Sequence, residues 1–328
     1  MLATAHAAAP MSVAAAIDRY LDDLAVARSA ETVKTYRVAL GRFAEFLATL
    51  RPAPAAVDAL TADQPVDFVR WLAKSDVVRS TVQLYATAAT GFYAFLVREQ
   101  LRPDLQLELM RQRLRALRGK RPRRLPRVPP DEIVERLVAA ARGVPPADTA
   151  AGERMRLRNV AIVETLRGSG LRVSELVSLK RGDLDREHRR AVVTGKGGKQ
   201  RLVFFTEAAW RAIHTYLEAR GDGAGGRGVA SLPLFARHDA RARNRPLPLT
   251  TQSVRDVVWE LARRAGAEEL GLTPHRFRAW FATHLVAETG DLAAVQDLLG
   301  HESADTTRIY TKVASQRLAE AHRRAFSG

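Results

Sequence analysis

The 328-residue chain contains no cysteine. Disulfides, thiolate nucleophiles and cysteine-ligated metals are excluded together, and an intracellular, cytoplasmic setting is the simplest fit. Long apolar runs are missing too. The leading MLATAHAAAP is small and apolar but has no basic start and no sustained hydrophobic stretch, so neither a signal peptide nor a membrane anchor is expected. No carboxylate cluster or Cys/His spacing suggests a metal site, and no cofactor is expected. Acids are scarce beside bases: 36 Asp and Glu face 52 Lys and Arg, a formal net charge of +16. Such a surplus attracts polyanions, of which DNA is the commonest inside cells. A GC-rich genome would also raise Ala and Arg together, so the placement of the charges carries more weight than their number.

What is present suggests two domains, as the length alone allows. Apolar residues recur at helical spacing in Val13, Ile17, Tyr20, Leu21 and Leu24, and again after a cap at Ser29 or Glu31 in Val33, Tyr36, Leu40, Phe43 and Leu47. Thr61 with Gln64 forms a capping-box pattern ahead of a third helix carrying Phe68 and Leu72. A fourth runs from about Ser80 through Leu84, Ala88, Phe92 and Phe95. These four predict a helical bundle over residues 12–118. From Arg111 to Arg127 there are nine basic residues and no acid, and Pro122, Pro126, Pro129 and Pro130 discourage regular structure at the end of the run. The linker proper is placed at 119–130. It is either a solvated spacer or a strap along DNA, with Arg118, Lys120, Arg121, Arg123 and Arg124 as the candidate phosphate contacts.

Residues 131–328 change to a mixed pattern. Helices are expected at 131–142, 155–167, 206–219, 251–265, 274–289, 291–299 and 304–312, with an amphipathic tail at 315–324. AVVTG and QRLVFF flank KGGK as a strand–turn–strand. The fold class is therefore mainly α with a small β-sheet in the second domain. The connections at 142–155 and 220–245 are long, and GDGAGGRG within the latter suggests a flexible insertion.

Groups able to grip or attack a phosphodiester cluster in this second domain. GSGLRVSEL places Arg172 beside a glycine turn, with Ser174 as the expected cap of the next helix. Lys196 sits at the hairpin tip, with Lys199 close by. TPHRFR opens a helix with His275 and Arg278 three residues apart, hence on one face. LLGH sets His301 after a helix ended by glycine, and TTRIYTKV carries Tyr310. Each alone has an ordinary reading: surface arginine, turn lysine, helix-end cation, packed aromatic. Their combination and order point to a site.

In that order, Arg172, Lys196, His275 with Arg278, His301 and Tyr310, the sequence resembles the tyrosine recombinase (phage-integrase) family, and its layout is similar to Xer-type members. The likeness spans roughly Ser12 to Arg324 and is strongest over HRFRAWFATHLVAETGDLAAVQDLLGHESADTTRIYTKV. Phe277 stands where the family usually has Leu, and Ala279 and Trp280 replace a more polar pair; these read as packing changes. The resemblance implies an N-terminal SAM-like core-binding domain and a C-terminal mixed α/β catalytic domain. It implies Tyr310 as nucleophile, Arg172, Arg278 and His301 on the scissile phosphate, His275 sharing the tyrosine proton and Lys196 as general acid. Glu175 matches a supporting position, although a first-turn carboxylate also suits a helix start on its own.

By the same resemblance the substrate is double-stranded DNA, cut through a 3′-phosphotyrosyl intermediate without metal or ATP by a homotetramer, or by a heterotetramer with a related recombinase, in the nucleoid. The tail after Tyr310 either docks on a neighbouring subunit or packs on its own domain. With the helical domain starting near residue 12, no room is left for a further arm-binding domain, which favours chromosome or plasmid dimer resolution over mobile-element integration. A non-catalytic DNA clamp would need neither Tyr310 nor Lys196, and a type IB topoisomerase fits the compact layout less well.

Overall fold

Short polar side chains set where the first helices begin. In the computed structural model, which describes residues 10–118, 127–195, 198–222, 227–239, 242 and 246–300, Ser12 Oγ accepts from the Ala15 N–H and starts α1 (Val13–Ala27). Ser29 Oγ accepts from the Thr32 N–H and starts α2 (Ala30–Thr49). The chain divides into two compact units, Met1–Arg123 and Arg124–Gly328.

The first unit continues with α3 (Gln64–Leu72), α4 (Arg79–Arg98) and α5 (Leu107–Arg118). Gln64 performs half of the expected capping box: its Oε1 accepts from the Thr61 N–H at 3.1 Å and also from the Tyr93 hydroxyl at 2.8 Å. Phe43, Phe46, Phe68 and Tyr93 form the aromatic centre, with Phe43 and Phe68 edge-to-face at 5.1 Å. The bundle has one helix more than the four expected. α5 takes in Arg111, Arg113, Arg115 and Arg118, because Met110 and Leu114, four apart, bury against the bundle while Arg111, Arg113 and Arg115 stay on the outer face. Charge masked that stripe in the sequence.

The second unit opens with α6 (Asp131–Arg142) and α7 (Ala150–Ser169). Thr149 Oγ1 accepts from the Gly152 N–H and starts α7 five residues ahead of the expected boundary, so part of the anticipated 142–155 loop is helical. α7 is buried continuously from Ala161 to Leu166 and packs against α6, α9 (Glu207–Arg220) and α12 (Pro274–Thr289). After α8 (Val173–Ser178) a three-stranded antiparallel sheet runs β1 (Leu184–Asp185), β2 (Arg190–Thr194), β3 (Gln200–Phe204), in the order β1-β2-β3. The hairpin of β2 and β3 is as expected, in a register that pairs Val192 with Leu202. β1, too short to show a pattern, adds to it.

The 220–245 segment includes α10 (Arg227–Ala230), and beyond it Leu234, Phe235 and Ala236 are buried. Arg220 donates to the Pro233 and Leu234 carbonyls, and the Tyr216 hydroxyl accepts from the Ala236 N–H. α11 (Thr251–Arg264), α12 and α13 (Leu292–Leu299) follow. Among the described residues no helix is long and apolar enough to cross a membrane.

Candidate active site

The site grows from the end of α7. Gly170 closes that helix with φ +60°, a left-handed turn that glycine adopts without strain. A Cβ there would lie 2.5 Å from the Phe281 ring, so the position requires glycine on two counts. The turn buries Leu171 and delivers Arg172 to the cap position of α8. Ser174, expected as the cap, lies inside the helix. Glu175 reaches back instead, its Oε2 accepting from the Arg172 backbone N–H at 2.8 Å.

Glu175 is buried, yet both oxygens are occupied by cations. Oε1 accepts from Arg172 Nη1 at 2.8 Å and Oε2 from Arg201 Nη2 at 2.7 Å. Burial alone would push its carboxyl upward. The Arg172 N–H and the two guanidiniums outweigh burial and hold it below the ordinary carboxylate value.

α12 supplies the second arginine. Thr273 caps it, Pro274 occupies the first turn where a missing N–H costs nothing, and His275 is exposed. Arg278, one turn on, is 4% exposed. It donates from Nη1 to the Gly170 carbonyl and from Nη2 to the Leu299 carbonyl, each at 2.5 Å. Phe277, Ala279 and Trp280, the departures from the family pattern, are buried, and the Trp280 indole N–H donates to Asp131.

α13 points its C-terminal end at these groups. Arg201 Nη1 donates to the Leu298 carbonyl at 2.7 Å, Arg278 to Leu299, and Arg172 Nη2 to Gly300 at 3.0 Å. Three consecutive carbonyls thus accept from three arginines, where the helix dipole favours cations. The next residue in the chain is His301. Two of these guanidiniums, Arg172 and Arg201, share the carboxylate of Glu175. The Arg172 side chain is 37% exposed, leaving further N–H donors on its planar fork open to an oxyanion.

The hairpin end also arrives here. A Cβ on Gly195 would lie 3.6 Å from Glu175 Oε1 and 3.8 Å from Arg172 Nη1, and the Gly195 N–H donates to the Lys199 carbonyl. Lys196, His301 and Tyr310 lie outside the described residues, as do Lys120, Arg121, Arg123, Arg124 and the Arg118 side chain. The structure thus brings together Arg172, Glu175 and Arg278, and places His275 at the start of the helix that carries Arg278. Arg201, on the five-residue strand β3, is the participant not anticipated from the sequence, where no local pattern marks it. Among the described residues no group of three or more His, Asp or Glu could hold a metal.

Three arginines thus converge on one helix end beside a hairpin, in a helical unit with one small sheet, a cationic frame suited to an oxyanion such as phosphate. Residues 129–317 match the phage integrase family and residues 17–100 its N-terminal SAM-like domain. The chain belongs to the phage integrase family, and it is a site-specific tyrosine recombinase. Its curated relatives include the tyrosine recombinase XerD of Xanthomonas axonopodis pv. citri (strain 306), 35% identical over 93% of this chain and 94% of that one. XerC of Bacillus pumilus is 37% identical over 76% and 77%. Among solved structures, XerH bound to its palindromic difH substrate superposes with a TM-score of 0.66 at 22% identity, covering 89% of this chain and 79% of that one. A lambda integrase dimer bound to a core site gives 0.60 at 18% identity, covering 92% and 77%. These two likenesses are of fold.

Proposed function

We propose that the protein is an Xer-type recombinase that resolves chromosome or plasmid dimers by exchanging strands between two copies of one DNA site. The observation that carries the reading is the convergence of Arg172 and Arg278 on the adjoining carbonyls of Gly300 and Leu299, directly ahead of His301. A phosphodiester repels nucleophiles and gains charge on its non-bridging oxygens during attack. Fixed planar cations answer both problems.

In this scheme Arg172, Arg278 and His301 hold the non-bridging oxygens. The Tyr310 Oη forms a bond to phosphorus as the bond from phosphorus to the 5′ oxygen breaks. His275 accepts the phenol proton, which a group with an ordinary pKa near 10 does not shed unaided at neutral pH. Lys196 gives a proton to the departing 5′ oxygen. The 3′-phosphotyrosyl bond conserves the phosphodiester energy, so a 5′ hydroxyl from a partner strand can reverse the step without ATP. Glu175 supports Arg172 from behind.

Residues 12–118 act as the core-binding domain, 119–130 as a basic strap carrying Lys120, Arg121, Arg123 and Arg124, and 131–328 as the catalytic domain. Four copies assemble on two sites, either identical or with a related recombinase, and the tail after Tyr310 docks on the neighbour. Being cytoplasmic, the protein meets its sites in the nucleoid.

The test is a supercoiled plasmid bearing two directly repeated copies of the site that the protein selects from its own genome. Resolution into two circles by the wild type, and none by Lys196→Ala, is the expected result. Relaxation of supercoils without exchange would replace recombination with topoisomerase activity. Exchange only between unlike sites would replace dimer resolution with element integration.

A further inference from the structure

We infer that Arg201, on β3, is a positioning residue for strand cleavage, fixing at once the Arg172 guanidinium and the end of α13 from which His301 departs. The inference rests on the catalytic reading of Arg172 and His301 and adds a residue to it.

Arg201 sits in a closed ring of hydrogen bonds. One of its terminal nitrogens donates to Glu175 Oε2 and the other to the Leu298 carbonyl, both at 2.7 Å. Arg172 answers with one nitrogen on Glu175 Oε1 at 2.8 Å and the other on the Gly300 carbonyl at 3.0 Å. The two arginines therefore share one carboxylate and grip the same helix end two residues apart. Three segments far apart in the chain are tied together: the α7–α8 turn, β3 and the α13 terminus. Gly300 takes φ +60° at that terminus, and a Cβ there would lie 2.8 Å from Arg201 Cδ. The arginine stem is thus pressed against the residue that closes α13.

Arg201 does not itself reach for substrate. Its side chain is 10% exposed against 37% for Arg172, so of these two arginines it is Arg172 that presents donors to a phosphate. Burial draws the Arg201 guanidinium below its ordinary pKa, opposed by Glu175. Its Nε is buried and finds no hydrogen-bond partner among the described residues. A buried cation with an unmet donor is a poor way to stabilise a fold, since apolar replacement of buried ion pairs often costs nothing. What only an arginine supplies here is two parallel donors on a rigid plane, one for the carboxylate and one for the helix end. A lysine offers a single point charge and cannot span both.

The test uses the full-length protein and a nicked duplex that traps the covalent adduct, read in single turnover at saturating DNA, with affinity for the same duplex measured separately. Arg201→Gln should slow adduct formation by tens of fold, towards about 10²-fold, as expected of a small displacement of catalytic groups. Its Kd for DNA should change by less than about threefold, because the lost interaction acts on the reacting geometry and not on binding. Arg201→Lys should recover only a minor part of the rate. Combined with Glu175→Gln, the double variant should be no slower than the worse single variant, since both changes open the same ring.

An undiminished rate in Arg201→Gln, a loss confined to Kd, or losses that multiply in the double variant would each overturn the assignment. If Arg201→Gln does not fold by circular dichroism, Arg201→Lys carries the test and must itself be at least about tenfold slow at unchanged Kd. A wild type that forms no adduct removes the catalytic reading and this one with it, whereas a wild type matched by Arg201→Gln removes this one alone.

Discussion

Replacing Gly170 with alanine would strike the turn on which the site is built. The residue holds φ +60°, and an added Cβ would stand 2.5 and 2.8 Å from two carbons of the Phe281 ring and 3.0 Å from Leu299 Cδ2. A left-handed conformation costs an L residue roughly 1–2 kcal/mol. Driving a methyl against this ring adds roughly 1–3 kcal/mol, since the Phe281 ring and the buried Leu299 must shift to admit it. Gly290 provides the control. It holds φ +67° at the end of α12, but nothing lies within 4 Å of its would-be Cβ. Gly290→Ala should therefore suffer the backbone cost only. At about 2–4 °C per kcal/mol for a unit of this size, Gly290→Ala should lower the calorimetric Tm by roughly 2–8 °C and Gly170→Ala by roughly 4–20 °C. The Gly170 carbonyl also accepts from Arg278. Well below either transition, Gly170→Ala should thus form the DNA adduct at least about tenfold more slowly than Gly290→Ala. Equal falls in Tm, or equal adduct rates, would show that the turn is not packed as described.

Other perturbations separate binding, chemistry and stability. Arg172→Lys keeps the charge but loses the fork, and should reduce single-turnover cleavage by roughly 10²–10³ with the protein still folded; near-normal cleavage would argue against a bidentate phosphate contact. Changing Arg121, Arg123 and Arg124 to Gln together should flatten the slope of log affinity against log salt by up to about 3, and an unchanged slope would remove the strap from the DNA contacts. His238 is held down to about 4, first by burial and then by Arg158, Arg220 and Arg154. Its folded pKa lies below the unfolded value, so between about 6.5 and about 4 the unfolded chain binds the extra proton and stability is lost as the pH is lowered. The wild-type Tm should drop across that window more steeply than that of His238→Asn, and parallel curves would count against a neutral His238 in the fold.

Much of the fold was legible because its signals are local. Ser29 caps α2, Gln64 reaches back to Thr61, and KGGK joins β2 to β3, each where the sequence suggested. What was not legible depends on contacts between distant segments. α5 hides its apolar stripe, Met110 and Leu114, beneath a basic run. The 220–245 connection reads in the sequence only as long, yet within it Arg220 and Tyr216, both on α9, hold Pro233, Leu234 and Ala236 in place. At the site, the identities of Arg172, Glu175 and Arg278 could be read from their order. Their arrangement could not: that the two arginines and Arg201 occupy three successive carbonyls at the end of α13, Leu298 to Gly300, is a property of tertiary contacts. Arg201 escaped notice because a single arginine on a short strand has no local pattern to mark it. Ser174 misled because serine is a common cap; the first-turn Glu175 fills that role from the other side.

The most direct measurement incubates the protein with a nicked duplex carrying its recombination site, then denatures the sample and sequences any DNA-linked peptide. A denaturant-stable adduct whose 3′ phosphate is joined to Tyr310 is expected from the wild type, and none from Tyr310→Phe. An adduct that persists in Tyr310→Phe, or one joined to a different residue, would contradict this expectation.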